Sequence, residues 1–126
     1  MGRAMMGINV RTDSRAGIDY AGLIVTGRKT LETRATDSLA AYTGRRVAIV
    51  RTGAGPARAI GSVRIVGAYR VDGPRFRTLE RLHAVPAGSL YDVRPDGLKW
   101  CYELAEPRLY AKPRRVGRGI VARRVL

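Results

Sequence analysis

Four side chains within six residues carry the chemistry of this sequence. Lys29, Thr30, Glu32 and Arg34 place a cation, a hydroxyl, a carboxylate and a second cation in the stretch Gly27-Arg28-Lys29-Thr30-Leu31-Glu32-Thr33-Arg34. The two cations suit a phosphate or a base carbonyl, and the carboxylate can accept from a base amino group or orient Arg34. The same set can move a proton. A Lys29 whose charged form is disfavoured by burial, or by Arg34 beside it, becomes a general base, with Glu32 as relay and Thr30 as a weak nucleophile. The plainer alternative is a helix-end cation followed by a solvated Glu32–Arg34 pair contributing about 0–1 kcal/mol.

These groups converge only if the backbone changes period at Gly27. Asp13-Ser14 is a good helix start, because either side-chain oxygen can accept a free N–H of the first turn. Ala16, Tyr20, Leu23, Ile24 and Gly27 follow at helical spacing, which predicts an amphipathic helix from Ser14 to about Thr26, ended by Gly27 in the left-handed cap. An extended chain beyond it puts Thr30, Glu32 and Arg34 on one face, with Leu31 turned to the core and Lys29 at the turn.

The remaining chain reads as strands with short breaks. Met6 to Val10 is a short apolar strand interrupted by Asn9, and Asp37 to Gly44 reads as a loop with about one helical turn. Arg46 to Arg51 is apolar on both faces, and Thr52 to Pro56 is a turn. Ala57 to Val71 alternates, with Val63, Ile65, Tyr69 and Val71 on one face and Arg58, Arg64 and Arg70 on the other; Gly61 and Gly67 predict bulges. Gly73-Pro74 opens a short helical stripe through Phe76, Leu79 and Leu82 or His83. Gly88 to Asp96 is loop-like and carries Tyr91. Leu98 to Leu104 is an aromatic-rich strand that Glu106-Pro107 should end, and Gly119 to Leu126 reads as a last strand. The pattern predicts one α+β domain over residues 1–126: a small β-barrel flanked by two or three short helices, with the basic segment 114–126 as last strand or tail.

Charge is the compositional outlier. The chain carries 24 basic and 10 acidic residues, a net +14, and all the basic ones but Lys29, Lys99 and Lys112 are Arg. A GC-rich coding preference would explain Arg over Lys but not basic over acidic, so the balance points to a polyanion, RNA or a modified nucleotide first and DNA as well. Arg58, Arg64, Arg70, Arg114, Arg115 and Arg118 are the side chains expected to follow a nucleic-acid backbone. Cys101 is the lone cysteine, which excludes an internal disulfide and fits a reducing compartment. With His83 also alone, a zinc site is not expected, nor is any metal or cofactor. No apolar run approaches a membrane span and no signal-peptide core follows Arg3, so a cytoplasmic protein without a membrane partner is expected; oligomeric state is left open.

Other motifs fail on inspection. Gly22 to Lys29 brushes the phosphate-loop pattern, but Arg28 stands where Lys is needed and Leu23-Ile24-Val25-Thr26 is a helix face. Gly53-Ala54-Gly55 runs into Pro56 and reads as a turn, not a dinucleotide fingerprint. His83 lies on a core-facing stripe and is expected to be a satisfied core histidine, while Cys101 between Trp100 and Tyr102 is expected to pack.

Gly27-x-Lys29-x-x-Glu32-x-Arg34 resembles in full the signature of the ASCH (activating signal cointegrator homology) family of PUA-like folds. The apolar helix through Tyr20-Ala21-Gly22-Leu23-Ile24, the strand Ala59-Ile60-Gly61-Ser62-Val63, and Gly97-Leu98-Lys99-Trp100 with Glu103-Leu104, Pro107 and Pro113 are similar to the family's flanks, so that the resemblance spans about Ile8 to Val116. It implies a PUA-like β-barrel and a cleft lined by the signature that binds RNA or a nucleotide-like ligand. Lys29, Thr30, Glu32 and Arg34 would contact the ligand, and Tyr20, Tyr91 or Trp100 would offer a stacking face. Family members are also linked to ribonuclease activity and to hydrolysis of an acylated cytidine. Lys29 matches the catalytic Lys of the latter group, but Glu32 stands where that group has its Thr, and Thr30 is two residues away. Three functions therefore remain in view: a binding module; a hydrolase using Lys29, Glu32 and Thr30; and a protein-interaction adaptor for an acidic partner.

Overall fold

Two long antiparallel strands form the spine. In the computed structural model, which describes residues 5–126, β4 (Arg58–Asp72) and β5 (Leu98–Arg114) pair along most of their length. β1 (Met6–Arg11), β2 (Leu31–Arg34), β3 (Arg46–Thr52) and β6 (Ala122–Arg124) complete a mixed sheet of order β2-β5-β4-β3-β1-β6. Only β1 and β3 run parallel. The α+β class holds, but the ladder is open, with β2 at one edge and β6 at the other, so the expected barrel is not closed by hydrogen bonds.

The alternation read in β4 is the observed burial: Val63, Ile65 and Val71 are buried while Arg58, Arg64 and Arg70 are exposed. Register shifts at Ala59/Gly61 and Ile65/Gly67 put irregularities at both glycines. Gly61 is also a close approach, since a Cβ there would meet the Arg108 carbonyl oxygen and lie 2.5 Å from a Val25 methyl. Glu106-Pro107 does not end β5. The pair is absorbed as a third bulge opposite Ser62 and Arg64, with Glu106 at φ 52°, and the strand runs on to Arg114.

The first helix is shorter than its periodicity implied. α1 spans Tyr20–Val25 and is capped by Asp19, whose carboxylate accepts from the Gly22 N–H. Asp13 instead closes a tight turn, accepting from the N–H groups of Arg15 and Ala16, while its backbone pairs with Ile18. A short polar side chain offers the backbone this alternative to a helix, and here it wins. Asp19 also takes a two-point ion pair from Arg51 of β3, at 3.0 and 2.6 Å, which clamps α1 to the sheet. Gly27 ends the helix at φ 79° as expected, with Arg28 and Lys29 both donating to the Leu23 carbonyl.

α2 (Gly73–Thr78) and α3 (Glu80–His83) cover the sheet beside α1, and a single 3-10 turn lies at Ala40–Tyr42. The main core gathers Ile8, Ile24, Leu31, Ile49, Ile65, Phe76 and Tyr102 between helices and sheet. A smaller cluster of Ala48, Val50 and Ala59 is covered by Tyr110, Val116 and Val125. His83 is the satisfied core residue expected. Its Nδ1 accepts from the Val85 N–H, so Nε2–H donates to the Phe76 carbonyl, and the ring stacks on Phe76 at 4.0 Å. No helix among the described residues is long and apolar enough to cross a membrane.

Candidate functional site

The α1-to-β2 switch brings Lys29, Glu32 and Arg34 to one wall of a cavity of about 530 Å3. Lys29 is only 2% exposed. Its Nζ donates to the His83 carbonyl, lies 3.6 Å from Glu32 Oε1 and sits 5.1 Å over the Tyr20 ring. Glu32, also buried, accepts from Arg34 Nε at 3.0 Å, and Arg34 Nη2 is ion-paired to the same oxygen at 2.9 Å. Arg34 Nη2 reaches on to the Asn9 carbonyl at 2.6 Å. Leu31, fully buried on the opposite side of the strand, anchors β2, a burial worth about 1.5–3 kcal/mol.

This is a fixed relay of cation, carboxylate and cation, not a solvated pair. Burial alone would raise the Glu32 carboxyl, but the charges of Arg34 and Lys29 and the Arg34 hydrogen bond hold it below the ordinary range. Burial pulls the Lys29 ammonium below the usual lysine value, and Glu32 opposes that pull.

Tyr20 and Tyr91 form the aromatic part, edge to face at 6.0 Å. Burial, with the negative charge of Asp13 and Glu32, pushes the Tyr20 phenol up to about 12. The Tyr20 hydroxyl and Asp13 Oδ2 are buried without a hydrogen-bond partner.

Two expected site residues lie elsewhere. Thr30 is exposed, precedes β2 and is outside the cavity lining; its backbone N–H donates to Leu82 and its carbonyl accepts from Leu104. Trp100 pairs in register with Arg34 but lies under Arg70, 5.8 Å from it, outside the cavity lining. The exposed Arg58, Arg64, Arg70, Arg114, Arg115 and Arg118 are also outside that lining. Arg114 lies over Tyr110.

Among the lining residues that sequence reasoning missed are Asn9, Arg11, Lys99 and Arg123. The Asn9 side chain donates to the Gly119 and Ile120 carbonyls and accepts from Arg123 Nε at 2.9 Å, binding the C-terminal return to the cavity rim. An amide inside an apolar strand was the one available signal. Among the described residues no group of three His, Cys, Asp or Glu side chains gathers for a metal.

The fold has solved counterparts. The structure is similar to that of ASCH from Zymomonas mobilis, with a TM-score of 0.64 and 17% identity over 90% of this chain and 73% of that one. Serine-to-alanine and tyrosine-to-phenylalanine variants of the Zymomonas mobilis protein match at TM-scores of 0.63 and 0.60, with 19% and 20% identity over 90% of this chain and 72% and 74% of theirs. The fold is that of an ASCH domain, as the signature implied. No protein-family model matches the sequence, and no curated protein matches it significantly.

Proposed function

We propose that the protein binds RNA or a modified nucleotide in this cavity. One observation carries the reading: the lining sets five cations (Arg11, Lys29, Arg34, Lys99 and Arg123) against the single carboxylate of Glu32, beside two tyrosine rings. A volume of about 530 Å3 suits a nucleotide-sized ligand. A base enters against Tyr20 and Tyr91, and Glu32 Oε1, which Arg34 leaves free, accepts from an exocyclic amine. The ASCH fold supports the same class of partner. Exposed Arg58, Arg64 and Arg70 follow the flanking strand.

The test is fluorescence anisotropy with a single-stranded RNA across a salt series. Binding should weaken steeply, and the triple change of Arg58, Arg64 and Arg70 to Gln should flatten the log–log slope by about 2. Binding indifferent to ionic strength overturns the electrostatic account.

Hydrolysis is the second reading, favoured by the burial that makes Lys29 a better base than an exposed lysine. Thr30 is exposed and outside the cavity lining, so this reading takes an activated water as the attacking group. Turnover of RNA or acylated cytidine that survives Lys29→Ala sinks this mechanism.

A further inference from the structure

The five cations of the cavity are not equivalent. Lys29 and Arg34 are spent on Glu32. Arg11, Lys99 and Arg123 have no carboxylate within ion-pair distance among the described residues, which include all ten acidic side chains. Arg123 is held in place: Asn9 Oδ1 takes its Nε, and the Gly117 carbonyl takes its Nη1 at 3.1 Å. Lys99 is partly buried, and burial lowers its ammonium, with Arg34 adding like-charge repulsion. Arg11 lies two residues beyond Asn9 on the same face of β1. It bears, as Arg34 does, on the phenol of Tyr91.

Like charges held around one opening, one fixed by hydrogen bonds and one partly desolvated, are unfavourable in the empty protein and become favourable when an anion enters. A solvated arginine face would need neither the Asn9 clamp nor the partial burial of Lys99. A neutral nucleoside would satisfy Tyr20, Tyr91 and Glu32 and leave the three outer cations uncompensated.

We infer that the cavity selects a phosphate-bearing nucleotide over the corresponding nucleoside, with the phosphate held among Arg11, Lys99 and Arg123. This rests on the nucleotide reading and adds a subsite to it. The phosphate comes either from a mononucleotide or terminal phosphate, carrying close to two charges, or from the single charge of an internal phosphodiester.

Calorimetric titration of the full chain separates these cases, using each ribonucleoside, its 5′- and 3′-monophosphates, and a dinucleoside monophosphate whose only phosphate is internal. For the preferred base, a phosphate-bearing ligand should bind at least about tenfold tighter than the nucleoside. Arg11→Gln and Lys99→Gln should each reduce that ratio, and together bring it within about twofold. A gain with the dinucleoside monophosphate equal to that with the mononucleotides assigns the site to an internal strand phosphate. A gain confined to the mononucleotides assigns it to a terminal one; either result supports the subsite. Equal binding of nucleosides and monophosphates overturns the subsite but leaves base recognition standing, as does a preference that survives the double variant. No binding by nucleoside, nucleotide or dinucleotide overturns both readings.

Discussion

Glu32→Gln tests whether the relay is a buried unit. The carboxylate is 6% exposed, takes a hydrogen bond from Arg34 Nε, is ion-paired to Arg34 Nη2 at 2.9 Å and lies 3.6 Å from the Lys29 ammonium. The amide keeps the shape and removes the one negative charge between two cations. Breaking a buried pair by removing one partner costs about 3–5 kcal/mol, against a typical total stability of about 5–15 kcal/mol. Urea unfolding followed through the fluorescence of Trp100, the single tryptophan, reads this as a lower midpoint at unchanged slope. The pH dependence has a definite sign on each side. The Glu32 folded pKa lies below its ordinary 4.5, so its contribution is present above that value and is lost as pH falls through the folded pKa. The wild-type and Gln curves must therefore converge in acid. Lys29 has a folded pKa below its ordinary 10.5, so between the two values the unfolded chain holds more protons and stability rises with pH. Losing Glu32 lowers the Lys29 pKa further, so in Glu32→Gln this rise starts at lower pH. Adding Lys29→Met should recover much of the loss, because it removes the stranded cation. A loss under about 1 kcal/mol at neutral pH, or a gap that does not narrow in acid, refutes the reasoning.

Two predictions concern the scaffold. Gly61→Ala places a methyl against the Arg108 carbonyl and Val25, where backbone cannot give way cheaply; a loss of about 1–3 kcal/mol in urea unfolding is expected, and a neutral result shows that β4 and β5 can separate there. Cys101 is fully buried, and burial pushes its thiol up to about 11. It should react with a thiol-selective disulfide reagent far more slowly in native protein than in urea at one pH, and equal rates would place it at the surface.

Local features of the fold were readable because each depends on a few neighbours. The Gly27 cap, the alternation of β4, the glycine bulges and the hydrogen-bonded His83 are all of this kind. The readings that failed needed information from across the chain. Asp13 had two local solutions, and the clamp between Asp19 and Arg51 of β3 fixes the later helix start. Glu106-Pro107 looked like a strand end because Pro cannot donate to a ladder, yet a bulge leaves its nitrogen outside the pairing. Barrel closure was inferred from strand count and turns, whereas edge pairing is a property of the assembled sheet.

The site divides in the same way. Lys29, Glu32 and Arg34 are close in sequence and meet because one helix cap and one short strand position them. Asn9, Arg11, Lys99 and Arg123 come from β1, β5 and β6, and no spacing relates them. Asn9, Arg11 and Arg123 meet because β1 pairs with β6, which returns the C-terminus to the Asn9 amide, while Lys99 comes from β5, the strand that pairs with β2. The net charge of +14 announced a polyanion without saying where it binds, since most exposed arginines lie outside the cavity. What distinguishes Arg123 and Lys99 is their setting: a hydrogen-bond clamp on one and partial burial of the other. A cation held in place, short of water and lacking a carboxylate is better evidence of an anionic ligand than any number of solvated ones.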